Sequence, residues 1–277
     1  MNTKKNLQKQ YEQETGLTIE YVKDAKQLND YLDRGLAALY CQVFAEAPYF
    51  EKLSVQEAKD IFQKYLANNG CIFLAFDPAK ESAVPVAFSV SEPLEARPDI
   101  AAFVKNAIDP VKTIYYADTG VDPLYRQKGL SLKLKALTFE VAITAGFNKC
   151  VSRTSQKSYK QISAFNKMGG LTLSGVFNDV ASTRLDGKTA TDRRIFCIYN
   201  LKAPRAYDTV EPVIIRPGKN GDMAIIEAAV PAAKKERQAL IDKVKATYPA
   251  ISQVVFGKAG LCTDKNTVFK GRLHFAK

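Results

Sequence analysis

The chain has a single histidine, His274, and no tryptophan among its 277 residues. A zinc-protease site of the HExxH type and a facial-triad iron site each require two histidines, so both kinds of site are excluded for this sequence. A serine triad would have to use His274, for which the favoured interpretation is a structural residue of a terminal strand. Catalysis in this chain would therefore depend on carboxylates, tyrosines, thiols, backbone amides or groups of a ligand.

Cysteines are few, odd in number and widely spaced: Cys41, Cys71, Cys150, Cys197 and Cys262. No C-x-x-C pair is present, so zinc ribbons and thioredoxin chemistry are not indicated. No apolar run approaches the roughly 20 residues that cross a bilayer, and Met1–Asn6 does not resemble a signal peptide. We therefore expect no membrane partner, no metal, and a cytoplasmic location.

What is present is a globular composition, 46% hydrophobic and 25% charged, with a net charge of +11. The length favours one large domain with an appendage. We expect a polar N-terminal arm at 1–16, a main domain at 17–202 and a basic C-terminal appendage at 203–277. The appendage has 13 Lys and Arg residues against 7 Asp and Glu, so more than half of the net charge lies there.

Apolar periodicity predicts strands and helices that alternate along the main domain. Strands are expected over 17–22, 71–76, 84–90, 113–121, 150–153, 171–180 and 194–201. Helices are expected over 28–43, 54–70, 98–108, 130–145 and 158–170. Capping boxes begin two of these helices, at Ser54–Glu57 and Ser158–Gln161. In the appendage, the sequence predicts a strand at 213–216, a helix from near Pro231, and short strands near Val254 and Leu273.

The most informative segment joins the predicted strand 113–121 to the helix that begins at Leu130. Its sequence is Thr-Gly-Val-Asp-Pro-Leu-Tyr-Arg-Gln-Lys-Gly-Leu-Ser, residues 119–131. Unpaired amides at a helix N-terminus bind phosphate groups, and Gly129 lets the backbone approach them closely. Arg126 and Lys128 add positive charge. The segment is neither a Walker loop nor a G-x-G-x-x-G motif, so an ordinary strand–turn–helix with a basic turn is the alternative.

The pattern V-x-P-x-x-R-x-x-G-x-S before a long helix resembles motif A of the GNAT superfamily of acetyltransferases. Arg126, Gly129 and Ser131 stand at its three defined positions, with Ser131 in place of Gly or Ala. Residues 158–170 resemble motif B of the same family, and the resemblance covers roughly 17–202. It implies a mixed α/β fold with a mostly antiparallel central sheet flanked by helices, followed here by a small C-terminal α/β appendage.

The resemblance also implies acetyl-CoA as the acyl donor, with no metal. The backbone of Thr119, Gly120 and Val121 would pair with the pantetheine arm. The amides of the following loop would hold the pyrophosphate: Arg126, Gln127, Lys128, Gly129, Leu130 and Ser131. Ser158 stands where the family often has an Asn that contacts the cofactor, although a helix-capping role alone would explain it.

The reaction that the resemblance implies is direct attack of a primary amine on the thioester. The usual motif-B tyrosine, a common general acid, is replaced by Phe165, so another residue or water would protonate the thiolate, or activity would be reduced. Tyr116 is taken as the candidate acid, with Tyr115 and Tyr159 also near. Asp118 is the candidate base, against the alternative of a solvated carboxylate at a strand edge.

Two other functions are also compatible with the sequence. Phe165 motivates a non-catalytic acyl-CoA-binding module. The net charge motivates a basic RNA- or ribosome-associated protein, or an acidic partner for a basic helical face in the appendage. The residues of that face are Lys234, Lys235, Arg237, Lys243 and Lys245. The acceptor amine and the oligomeric state cannot be inferred from the sequence.

Overall fold

The computed structural model describes residues 2–80, 83–105, 107–158, 161–162, 164–165, 168–202, 210–216, 222–226, 233–247, 251–256 and 269–274. The helices are α1 (Asn2–Thr15), α2 (Ala25–Tyr31), α3 (Ala37–Phe44), α4 (Val55–Ala67), α5 (Pro98–Val104), α6 (Leu130–Thr144) and α7 (Lys234–Thr247). The strands of the main sheet are β1 (Thr18–Tyr21), β2 (Cys71–Phe76), β3 (Pro85–Pro93), β4 (Thr113–Val121), β5 (Lys149–Ser155), β6 (Leu171–Thr183) and β7 (Thr189–Asn200).

The main sheet has the strand order β1-β2-β3-β4-β5-β7-β6. Neighbouring strands are antiparallel except β4 and β5, which run parallel. The helix α6 makes the connection between these two strands, as parallel strands require. The expected fold class, a mostly antiparallel sheet flanked by helices, is confirmed.

Helices cover both faces of this sheet. On one face, α2, α3 and α4 pack their apolar sides against β2 and β3, and α5 packs beside them against β4, β5 and β7. On the other face lie α1 and α6, together with Phe165. The predicted capping box begins α4, because the Ser54 side chain accepts from the Glu57 amide while the Glu57 carboxylate accepts from the Ser54 amide. The core therefore consists of two apolar layers separated by the sheet.

The strands β4 and β5 pair over only part of their length. Their register runs from Thr113 opposite Lys149 to Tyr116 opposite Ser152 and stops there. On its other side β4 continues to pair with β3, with a bulge at Ala117. Beyond Tyr116, the edge of β4 that faces β5 is therefore open, and a gap forms between the carboxyl ends of two neighbouring parallel strands.

A second, smaller sheet contains β8 (Val210–Arg216), β9 (Asp222–Ile226), β10 (Ile251–Phe256) and β11 (Phe269–His274) in the order β10-β9-β8-β11. The strands expected near 213–216, Val254 and Leu273 are confirmed, as is the helix, which is α7. The strand β9 was not expected, because its apolar run of four residues is too short to be assigned from periodicity. Leu240, Val254 and Phe256 pack against the core of the main sheet. Among the described residues, no helix is long and apolar enough to cross a membrane.

Candidate active site at the opening between β4 and β5

A cleft of about 640 Å³ follows the open edge of β4 to the beginning of α6. One wall is the segment after α3, from Glu46 to Tyr49. The opposite wall is the loop that carries the motif resembling motif A. The predicted binding residues that line this cleft are Thr119, Val121, Arg126, Gln127, Gly129, Leu130, Ser131 and Ser158. The structure thus brings most of them together around one elongated space.

The loop before α6 has the backbone geometry of an anion-binding turn. Gly129 precedes the helix with φ = 72°, in the left-handed region that favours glycine, and Gln127 has φ = 67°. Within the described chain, the amides of Gly129, Leu130 and Ser131 donate to no acceptor. These amides carry the positive end of the helix dipole, so this end of the cleft can bind a phosphate group.

Arg126 bridges the mouth of the cleft. Its guanidinium donates to both carboxylate oxygens of Glu46, at 2.6 and 3.1 Å, and its Nε donates to the carbonyl oxygen of Val121. Lys128 does not line the cleft; its Nζ lies 5.7 Å from the centre of the Tyr125 ring. Of the two predicted basic residues, Arg126 therefore faces the space where an anion would bind, and it is already paired with a carboxylate.

The last three residues of β4 offer one free edge to the cleft. Thr119, Gly120 and Val121 pair with β3 on one side and with no strand on the other. Gly120 has a packing reason to be glycine, since a Cβ there would lie 2.3 Å from the Phe88 ring. The backbone donors and acceptors of this edge are available to an extended ligand, as in the pairing of one more strand.

A smaller cavity of about 100 Å³ lies next to the cleft and contains both predicted catalytic residues, Tyr116 and Asp118. Tyr49, Thr119 and Ser158 line both spaces, so the two share a wall. The smaller cavity lies between β4 and β5, where their pairing has stopped.

Two tyrosines that the sequence did not single out hold Asp118. Tyr40 of α3 and Tyr65 of α4 donate to its Oδ2, at 2.9 and 2.5 Å. Burial and, next, the Asp118 charge raise the pKa of both phenols, so both remain protonated and act as donors. Oδ1 has no hydrogen-bond partner in the described chain. The bulge at Ala117 is the cause of this orientation, because it places Asp118 opposite Val90, on the face that α3 and α4 cover.

Tyr116 faces the opposite side of the sheet. Its hydroxyl accepts from Ser89 and from Thr119, at 2.9 and 2.5 Å, and burial raises the pKa of the phenol. Thr119 connects this buried hydroxyl to both cavities. The assignment of Tyr116 as a general acid stays a prediction.

Phe165, at the position of the usual motif-B tyrosine, is fully buried. Its ring centre lies 3.5 Å from the Nζ of Lys135, a fully buried lysine of α6 that has no hydrogen-bond partner in the described chain. The phenylalanine thus forms part of an aromatic enclosure for a buried amine. Residues of the segment 158–170 that lie outside the described residues include Tyr159, Lys160, Asn166 and Lys167.

No protein-family model matches the sequence, and no curated protein is similar to it. Several solved structures are similar in fold. An N-acetyltransferase from Staphylococcus aureus has 18% identity and a TM-score of 0.46, covering 67% of this chain and 98% of its own. A GNAT superfamily phosphinothricin acetyltransferase from Sinorhizobium meliloti, in complex with acetyl-CoA, has 13% identity and a TM-score of 0.48, covering 66% and 88%. The ribosomal-protein-S18-alanine N-acetyltransferase from Escherichia coli has 14% identity and a TM-score of 0.45, covering 67% and 94%. The three solved structures are acetyltransferases, at low sequence identity to this chain.

Proposed function

We propose that this chain is an N-acyltransferase of the GNAT type, which transfers an acetyl group from acetyl-CoA to a primary amine by direct attack in a ternary complex. The observation that carries the proposal is the continuity of the cleft. A free strand edge at Thr119–Val121 leads to the unpaired amides of Gly129, Leu130 and Ser131. An extended, amide-containing arm that ends in a pyrophosphate matches both features, and the cleft ends at a cavity with a carboxylate.

In this proposal the pyrophosphate accepts from the amides at the beginning of α6. The pantetheine amides pair with the free edge of β4, and the thioester lies where β4 and β5 separate, beside Thr119. Holding the two substrates in this geometry supplies much of the rate acceleration. A backbone N–H of the open edge donates to the oxygen of the tetrahedral intermediate.

Asp118 would act on the acceptor. A primary ammonium R–NH₃⁺ has three protons on nitrogen, of which one remains in the amide product. Asp118 Oδ1, which is free to accept, takes one proton and releases it to solvent. As the C–S bond breaks and the N–C bond forms, the sulfur takes a proton from the hydroxyl pair Thr119 and Tyr116, and the other ammonium proton restores that pair. Tyr40 and Tyr65 hold the carboxylate in position through Oδ2 and take no proton.

The thiolate would take its proton from the Thr119 hydroxyl, which donates to Tyr116 in the free chain and would turn toward the sulfur, and the Tyr116 hydroxyl would replace that proton. Because burial raises the pKa of Tyr116, the phenol keeps its proton at neutral pH and is a weak acid. Tyr116→Phe tests this step, since the variant keeps the ring and removes only the hydroxyl. We expect a lower kcat with an unchanged Kd for acetyl-CoA; an unchanged kcat would assign protonation to water.

A thiol-release assay over a panel of primary amines, together with calorimetric titration by acetyl-CoA, tests the proposed function. Binding followed by release of free CoA thiol that depends on the amine supports it. A second candidate, a non-catalytic acyl-CoA-binding module, is favoured by Phe165, which has no proton to donate. Binding of acetyl-CoA without thiol release on any amine would favour that candidate, and no binding would contradict both.

A role for the basic appendage in binding RNA or another acidic partner stays a prediction, because much of 203–277 lies outside the described residues.

A further inference from the structure

The smaller cavity contains charges of both signs, from Asp118, Arg153 and Arg194. Arg194 is already neutralised, because its guanidinium lies 2.6 Å from Glu51 and 2.7 Å from Asp192, two acids for one base. The Arg194 guanidinium also lies over the Tyr49 ring, 4.7 Å from its centre. Arg194 therefore serves the structure of the cavity wall, and its charge is not available to a ligand.

Arg153 differs from Arg194 in its surroundings. Its guanidinium donates to the side-chain oxygen of Asn178, a neutral group. In the part of the chain that the structure describes, no carboxylate lies within 4.0 Å of it. Asp99 is near enough for Arg153 to contribute to its lowered pKa, but the first cause of that shift is Arg97, which binds both Asp99 oxygens at 2.9 and 2.8 Å. Arg153 thus keeps guanidinium donors that no carboxylate of the described chain binds, and its charge is only partly offset by Asp99, which Arg97 already holds.

Arg153 and Asp118 lie on the same face of the sheet, on either side of the gap. In β5, side chains alternate between faces, and Arg153 follows Val151 onto the face that α5 covers. In β4, the bulge at Ala117 brings Asp118 onto that face too. Among the described residues, one wall of the cavity therefore presents a carboxylate oxygen without a hydrogen-bond partner, and the other presents a guanidinium that no carboxylate binds.

We propose that the acceptor is a small zwitterion, an amino acid whose ammonium binds Asp118 and whose carboxylate binds Arg153. This inference rests on the proposed function and names the class of its second substrate. Arginine binds a carboxylate with two parallel hydrogen bonds, which an uncharged amide cannot reproduce. A cavity of about 100 Å³ accommodates a small molecule, so the carboxylate and the amine belong to the same compact acceptor. The reaction balance is unchanged, because the acceptor carboxylate only positions the amine.

The experiment measures kcat/KM by thiol release for matched pairs of acceptors, each pair an amino acid and its carboxamide. The series covers α-, β- and γ-amino acids, because the chain length between the two groups sets which acid spans the cavity. We expect at least one acid to exceed its carboxamide by a factor of about 10 or more, the discrimination of a charged hydrogen-bonded pair. Equal values within every pair, or faster reaction of the carboxamides, would overturn the inference.

Three variants locate the effect. Arg153→Gln should remove the discrimination within the best pair, mainly through KM, and Arg153→Lys should keep part of it. Arg34→Gln is the matched control, because it removes a guanidinium from an exposed pair with Asp30 that does not line the cavity. Discrimination that persists undiminished in Arg153→Gln would also overturn the inference. If Arg153→Gln does not fold, the acceptor pairs measured with the wild type and with Arg153→Lys still test the inference.

The failure of this inference is distinguishable from the failure of the proposed function. Acetyl-CoA binding and thiol release with amines that have no carboxylate, at rates equal to those with amino acids, would contradict the zwitterion and leave the acetyltransferase proposal standing. The absence of acetyl-CoA binding by calorimetry would contradict both.

Discussion

The buried amine of Lys135 allows a quantitative test of the enclosure behind the proposed active site. Its Nζ lies 3.5 Å from the ring centre of Phe165, 4.8 Å from that of Tyr116 and 6.0 Å from that of Tyr199, with no hydrogen-bond partner in the described chain. Burial lowers the pKa of Lys135 from 10.5 to about 7. The perturbation is Lys135→Met, which keeps the length and helix propensity of the side chain and removes the charge.

The pH dependence has a definite sign. Between pH 7 and 10.5 the unfolded chain keeps the lysine proton that the folded chain has released, so the free energy of unfolding of the wild type rises with pH over this window. The cost of burying the amine is about 4 kcal/mol at pH 7 and about 2 kcal/mol at pH 9. Attraction of the charged form to the rings offsets up to about 2 kcal/mol of it. We therefore expect Lys135→Met to be the more stable protein by about 2 to 4 kcal/mol at pH 7.

Urea unfolding of the wild type and of Lys135→Met at several values of pH from 6 to 10 measures this difference. Because both proteins share every other titrating group, subtraction isolates the lysine. The advantage of the methionine variant should shrink by roughly 1 to 2 kcal/mol between pH 7 and 9, the smaller value applying when the rings stabilise the charged amine most. A difference that does not change with pH would refute the reasoning, since the amine would then have the same pKa in the folded and unfolded chains.

Other substitutions address the cleft and Asp118, the carboxylate proposed to be catalytic. Asp118→Asn should lower kcat/KM by about 10² or more while calorimetry shows an unchanged Kd for acetyl-CoA; normal activity would remove Asp118 from the mechanism. Gly129→Ala and Gly146→Ala should each lose roughly 1 kcal/mol in thermal unfolding because both glycines have positive φ. Only the first should weaken acetyl-CoA binding, and equal affinities would contradict the amide site. Glu46→Gln frees Arg126 from an exposed pair and should tighten acetyl-CoA binding by a factor of about 2 to 5. Asp30→Asn, which opens the Arg34 pair, is its control; a weaker affinity in Glu46→Gln would show that Glu46 assists binding.

The parts of the site that are local in sequence could be predicted from it. The strand 113–121, the turn and the helix from Leu130 are contiguous, and their pattern of apolar residues, proline and glycine predicts both the elements and the turn proposed to bind phosphate. The bounds of β2 agree with the sequence because it is a continuous apolar run, and those of β4 agree because the Asp122-Pro123 turn signal ends it. Gly129 was singled out for a close approach of the backbone to a phosphate, and the structure adds that its φ of 72° lies in the left-handed region.

The part of the site that contains Asp118 depends on contacts between distant segments. Tyr40 and Tyr65 lie 78 and 53 residues from the carboxylate that they hold, and in the sequence each is one more apolar position of an amphipathic helix. The face that Asp118 occupies depends on one bulged residue, Ala117, for which alternation gives no signal. That Arg153 contacts the neutral side chain of Asn178 and is bound by no described carboxylate could be recognised only from the residues that surround it in the fold. Long-range pairing, which decides all three, cannot be obtained from periodicity.

The central claim is that the amides at the beginning of α6 bind the pyrophosphate of acetyl-CoA. Titration of the ¹⁵N-labelled chain with acetyl-CoA, followed by NMR, tests it most directly. The account predicts saturable shifts of the Gly129, Leu130 and Ser131 amide signals, which have no acceptor among the described residues, and a single Kd for all three. The Gly146 signal, at the other end of the same helix, should not move. Saturating acetyl-CoA that leaves the three amide signals unchanged would contradict the account.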